Sequence, residues 1–270
     1  MNLLKNWTLP IAMLVGALGY KVMDYLSFIT PYLIFTMLLL TFSKISLRDL
    51  RPRLSHLYLL AIEIIGAIAV YFLIAPFDQI VAQGVMICII CPTATAAAVV
   101  TGKLGGNVAS ITTYTLLCNI AVAFVIPALF PLLICPFLLA QLIRLIAPKI
   151  NSKLSSISGL AFYMWAIALT IAMGMTVRSL IEEPTDITTL IYLSLGSLIA
   201  CLFQFFTGKA IGKSTNDTIA CGQSLGQKNT ILAIWICSAY LNPVTALAPG
   251  LYVIWQNIFN STQLYLARKK

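Results

Sequence analysis

The chain has 270 residues, 60% of them hydrophobic and only 9% charged, with a mean hydropathy of +0.95. A soluble domain carries about 25% charged residues, so the composition argues against a soluble enzyme, a disordered chain and a nucleic-acid binder. The formal net charge of +9 does not reverse this, because the basic residues lie between long apolar runs.

At about 20 residues per membrane helix, those runs predict ten spans, at residues 7–22, 27–43, 55–76, 79–103, 107–126, 130–147, 156–177, 187–208, 214–239 and 243–265. Lys5 ahead of the first run is also how a secretory leader begins, but no good small-residue cleavage site follows, so the run is read as a span. Pro76 and Asp78 close the third span, and Pro127 to Pro131 separate the fifth from the sixth without a charge.

Orientation follows the distribution of Lys and Arg. With the amino terminus inside, fourteen of the seventeen fall on the inner side, among them Lys5, Lys44, Arg48, Arg51, Arg53, Lys103, Lys269 and Lys270. Lys21 and Arg178 fall outside, with Glu182, Glu183 and Asp186. Both termini are therefore expected in the cytoplasm. The seven cysteines all lie in apolar stretches, and Cys88 and Cys91 have no second pair, while His56 is distant in sequence. They read as buried thiols rather than metal ligands or disulfides.

Ten spans divide into five and five, which inverts the second half relative to the first. The fourth span of each half is interrupted, by Cys91-Pro92-Thr93-Ala94-Thr95 and by Gly222 to Thr230. Paired interruptions at matching positions point to a transporter binding site. Proline removes a backbone donor, and unwound backbone must line a cavity or be buried in protein. Each following helix begins near mid-membrane with unpaired N–H groups, which favour an anion. Thr93 or Thr95, and Asn229 or Thr230, are suited to cap those starts. A proline kink and a polar packing layer would give the same pattern without a site.

Two ionisable residues fall near mid-membrane, Glu63 in span three and Lys228 in the second break. A lone charge there costs about 2.5–3.5 kcal/mol on the insertion scale, so a Glu63–Lys228 contact is expected. It would act either as a coupling or gating element that a proton operates, or as a permanent counter-ion pair.

The segment Cys91-Pro92-Thr93-Ala94-Thr95-Ala96-Ala97-Ala98-Val99, followed by Gly106-Asn107-Val108-Ala109, resembles the Pro-Gly-Gly-Thr-Ala-Ser-Asn-Val and Gly-Asn-Val-Ala segments of the bile acid:sodium symporter family. Ser224-Leu225-Gly226-Gln227-Lys228-Asn229-Thr230 resembles its Glu-x-Gly-x-Gln-Asn-Ser segment. The resemblance covers essentially the whole chain. It implies an all-α membrane protein with ten helices in two inverted five-helix repeats, the broken fourth and ninth helices crossing. It also implies a panel (residues 1–53 and 130–180), a core (54–129 and 181–270), and alternating-access transport of organic anions, from bile acids to small carboxylates.

The departures bear on coupling. Sodium-coupled members hold one ion at positions that here are Ala97, Ala98, Ile111, Thr115 and Ser224, of which only Thr115 keeps its oxygen type. The other sodium site uses two glutamines, here Glu63 and Lys228. The resemblance therefore implies an ammonium in the place of sodium, with Glu63 as its counter-ion. The expected activity is sodium-independent transport of an organic anion in a bacterial inner membrane, with no cofactor and protons as the remaining candidate coupling ion. Ion coupling or sodium substitution falls to Glu63, Lys228, Thr115 and Ser224. Substrate binding falls to Thr93, Thr95, Ala96, Gln223, Gln227, Asn229 and Thr230, with Pro92 and Gly226 marking the breaks. The alternatives are a sodium-coupled symporter of the same family and a channel. A receptor would carry a soluble domain, and no constellation for enzymatic chemistry is present.

Overall fold

A computed structural model describes residues 2–46, 50–157 and 159–268, and no strand occurs among the described residues. Arg48, Asp49, Lys269 and Lys270, and the side chains of Lys5 and Arg268, lie outside the described residues.

The helices in chain order are α1 (Asn2–Leu18), α2 (Tyr20–Tyr25), α3 (Thr30–Phe42), α4 (Leu54–Ile74), α5 (Gln79–Ile90), α6 (Ala97–Lys103), α7 (Val108–Val125), α8 (Phe130–Leu133), α9 (Cys135–Ile146), α10 (Pro148–Ser156), α11 (Leu160–Glu182), α12 (Ile187–Ser214), α13 (Thr218–Gly226), α14 (Thr230–Tyr240) and α15 (Leu247–Arg268). Among the described residues, five helical stretches are long and apolar enough to cross a membrane: α4, α7, α11, α12 and the stretch Pro127–Ile146, which contains α8 and α9. Ser27–Phe42, Gln79–Ile90 and Thr230–Tyr240 are shorter apolar helices. Large apolar side chains such as Leu73, Phe77 and Leu145 stand exposed on the outside, as suits lipid and not water. The chain is an all-α protein built as an integral membrane protein.

Several expected boundaries move. The first run is two helices, α1 and α2, divided at Gly19. The connector at Pro127 is a 3₁₀ turn, and α9 restarts one residue after α8, with Pro136 in its first turn, where a missing N–H costs nothing. α10 is polar and was not expected, because nine residues of low hydropathy carry no span signal. The second break is also narrower than expected. Gly222 to Gly226 stay helical and only Gln227, Lys228 and Asn229 leave the helix.

Helix starts are fixed by side chains. Asp78 accepts a hydrogen bond from the Val81 N–H at 3.0 Å and another from Thr189 Oγ1 at 2.9 Å, so one carboxylate caps α5 and ties it to α12. Asn107 caps α7 through the Ser110 N–H at 3.0 Å. Gly208 and Gly212, four residues apart, let α13 lie against the backbone of α12. A Cβ on Gly208 would come within 2.3 Å of the Cys221 carbonyl oxygen, and one on Gly212 within 2.6 Å of that of Asp217. Small residues at this spacing are how membrane helices approach closely.

α1 and α2 lie along α11, α3 sits between α9 and α11, and α10 packs on α9 and α3. α12 runs beside α13, α5 and α15, while α4 packs on α5, and α7 on α6 and α13. The two sets meet where α11 touches α14, α15 and the turn Pro243–Ala246, with Thr176 against Gly250, and also where α3 touches α14 and α7 touches α8.

Candidate functional site

Both interrupted helices open at the same place. Pro92 pushes the preceding residue out of helical backbone, and Cys91 is extended, with φ −59° and ψ 136°. Across from it, Gln227 and Asn229 have ψ 92° and 76°. The two open segments run antiparallel, with Thr93 opposite Lys228. The Ala94 N–H donates to the Gln227 carbonyl at 2.9 Å, and the Asn229 N–H to the Pro92 carbonyl at 2.8 Å. Backbone groups that lose helical partners inside an apolar protein thus satisfy one another.

Side chains complete the crossing. Thr93 Oγ1 donates to the Ser224 carbonyl at 2.6 Å, and Cys91 Sγ to the Asn229 carbonyl at 3.1 Å. Tyr252 on α15 donates to the Gly226 carbonyl at 2.9 Å. Gln204 on α12 donates to the Tyr252 hydroxyl and to the Cys88 carbonyl, at 3.0 and 3.2 Å. Gly226 ends α13 under the ring of Phe205, and a Cβ there would meet that ring at 2.2 Å.

Lys228 projects from this crossing to α4. Its Nζ lies 2.8 Å from Glu63 Oε1, and both side chains are at most 1% exposed. The approach is that of an ion pair without the alignment of a good hydrogen bond, so the ammonium keeps N–H directions without a well-placed acceptor among the described residues. Glu63 is better supplied. Tyr114 Oη donates to its Oε2 at 2.5 Å, and Cys118 Sγ to its Oε1 at 3.1 Å. Tyr114 and Cys118 stand one turn apart on α7, so a single helix face grips the carboxylate. The Lys228 N–H is taken by Gln256 Oε1 at 3.0 Å.

The residues that the family resemblance would set at a sodium site do not gather oxygen. Ala97, Ile111 and Ala220 are fully buried together in an apolar cluster with Ala98 against it. Thr115 spends its hydroxyl on the Ile111 carbonyl of its own helix, at 2.8 Å. Sodium needs oxygen ligands, and this donor set does not fit it.

Among the other expected site residues, Thr93, Gln223, Gln227 and Thr230 are buried. Thr93 does not cap α6, whose N-cap is Ala96 without a side-chain bond, because its hydroxyl is committed to α13. Asn229 does cap α14, accepting from the Leu232 N–H at 3.3 Å. Gln223 donates to Asn260 Oδ1 at 2.8 Å, and Asn260 donates to Gln227 Oε1 at 3.3 Å. Thr95 and Asn229 are half-buried and Ala96 exposed, so these three lie nearest to open space. Tyr114, Cys118, Gln204, Tyr252, Gln256 and Asn260 were not singled out from the sequence. Gln256, Asn260 and Gln263 do recur at helical spacing on α15, which was a readable sign of a polar face. All seven cysteines are free thiols.

Comparison with known proteins finds no family model and no curated protein that matches this chain.

Proposed function

We propose that the protein is a secondary transporter of an organic anion, working by alternating access without sodium. The observation that carries this reading is the buried Glu63–Lys228 pair, set where two interrupted helices cross. Paired interruptions inside a membrane protein mark carrier sites, and charges at that depth are retained where they serve a pathway or a coupling step. The resemblance of the two break segments to the bile acid:sodium symporter family points the same way.

On this reading the chain has ten spans in two inverted repeats, with α4–α7 and α12–α15 as the moving core and α1–α3 and α8–α11 as the panel. The preferential packing within each set supports that division. Both termini lie in the cytoplasm of a bacterial inner membrane, as the charge bias indicates. The substrate carboxylate binds beside the crossing, near Thr95, Ala96 and the start of α14 at Asn229. Lys228 supplies the fixed positive charge that relatives obtain from bound sodium, and the apolar cluster of Ala97, Ile111 and Ala220 supports the loss of the other ion site.

Purified protein in proteoliposomes, supplied with labelled taurocholate and a panel of small keto and hydroxy acids, tests the proposal. Saturable uptake of at least one anion is expected. Single-channel current without saturable uptake would contradict it and favour a channel.

A further inference from the structure

Polar side chains continue from Glu63 along the seam between α4 and α7, toward the end of the molecule that bears Arg53. His56 precedes Glu63 by seven residues on the same face of α4, two turns and about 10 Å away. It is 1% exposed. Its Nε2 lies 3.0 Å from Ser110 Oγ on α7, and its Nδ1 accepts from the Arg53 N–H at 3.3 Å. The Arg53 side chain pairs with Asp217 at 3.2 Å and is 41% exposed, so this end of the seam reaches the surface. One turn beyond Ser110, the ring of Tyr114 stands edge-on to the His56 ring, with centroids 5.9 Å apart, and its hydroxyl reaches Glu63.

We propose that this seam conducts protons between the Arg53–Asp217 surface and Glu63, and that Glu63 takes up one proton for each substrate carboxylate bound by Lys228. The inference rests on the carrier reading and names its coupling ion. Among the described residues, Lys228 has one anionic neighbour, Glu63. A proton placed on the Glu63 carboxylate leaves the ammonium without a counter-charge inside the membrane, a cost that strong acid alone can drive and that a second anion offsets. An incoming carboxylate restores the balance. The Lys228–Glu63 ion pair gives way to a Lys228–substrate pair while Glu63 holds the proton. When the substrate leaves, Glu63 releases the proton and pairs again, so one proton and one negative charge cross together.

Glu63 is surrounded by Lys228, Tyr114, Cys118, Cys91 and Tyr252 as its charged or titratable neighbours. His56 has Arg53, Asp217 and Tyr114. Among these, imidazole is the group with two ring nitrogens, so it can take a proton on one and release one from the other. Ser110 and Tyr114 stand one turn apart on α7, so the His56–Ser110 and Tyr114–Glu63 contacts lie along one face of that helix.

The test is time-resolved infrared spectroscopy of the full-length protein in lipid vesicles after a pH jump from about 8 to about 4, a range that covers carboxyl titration. A protonated-carboxyl band is expected that disappears in Glu63→Gln and stays in Glu182→Gln. Its rise should slow about tenfold or more in His56→Gln, with its final amplitude unchanged, and likewise in Tyr114→Phe. If His56→Gln does not fold, Tyr114→Phe, which keeps the ring, gives the same reading. Absence of a Glu63 band over this range, or equal rates in the folded variants, overturns the proposal. Neither result involves a substrate, so its failure leaves a carrier working by uniport or exchange. The carrier reading fails separately, when no anion shows saturable uptake.

Discussion

At the scale of single residues, the Glu63–Lys228 pair is held unevenly. Glu63 receives Tyr114, Cys118 and Lys228, whereas Lys228 is offset from its one anionic partner. Removing one member of a buried pair costs about 3–5 kcal/mol, because an uncompensated charge remains, while replacing both is often neutral. Lys228→Met alone should therefore lower the thermal unfolding temperature sharply in detergent, and Glu63→Gln with Lys228→Met should recover most of the loss. If the double variant is no more stable than Lys228→Met, the two charges are not coupled. Tyr114→Phe removes a hydrogen bond to a charged acceptor, worth about 1.5–3 kcal/mol. Its effect should vanish when Glu63 is already Gln, which a double-mutant cycle on unfolding temperature checks.

At the scale of elements, close helix approach and capping set the geometry of the crossing. Gly208→Ala on α12 drives a methyl group into the Cys221 carbonyl of α13, and overpacking of this kind costs about 1–3 kcal/mol. Gly66 on α4 has nothing within 4 Å of an added Cβ. Gly66→Ala should instead stabilise by roughly 0.5–1 kcal/mol through helix propensity. Opposite shifts in unfolding temperature are expected for the two variants, and shifts of one sign would contradict the packing described. Much at this scale was legible beforehand. Pro92 marks its own break, since proline cannot continue a helix. The second break is narrower than the Gly222 to Thr230 segment that its polar and glycine residues suggest. In the fold Gly222 and Gly226 stay helical, and their lack of a side chain makes room for Lys209 and Phe205.

At the scale of the whole molecule, apolar runs disclosed the all-α architecture, since lipid imposes the same pattern on every segment that faces it. They could not disclose which helices touch. The meeting of Glu63 with Lys228 was legible because a charge deep in an apolar chain needs a partner and only one of each sign was on offer. Tyr114 and Cys118 were not, because a tyrosine or cysteine in an apolar helix is usual without any such duty. Likewise, Tyr252, Gln256 and Asn260 on α15 receive their partners only when the fold brings them to the end of α13 and the break that follows it, a long-range contact that no local pattern encodes.

The proposed function turns on a resident ammonium, Lys228, serving at the helix crossing in place of a bound alkali metal. Equilibrium binding of radiolabelled sodium to the purified, full-length protein tests this most directly, because it needs no knowledge of the substrate. No saturable sodium binding is expected for the unmodified chain, with the same result in potassium and in choline buffers. Saturable binding of sodium, displaced by unlabelled sodium and not by choline, would contradict the account.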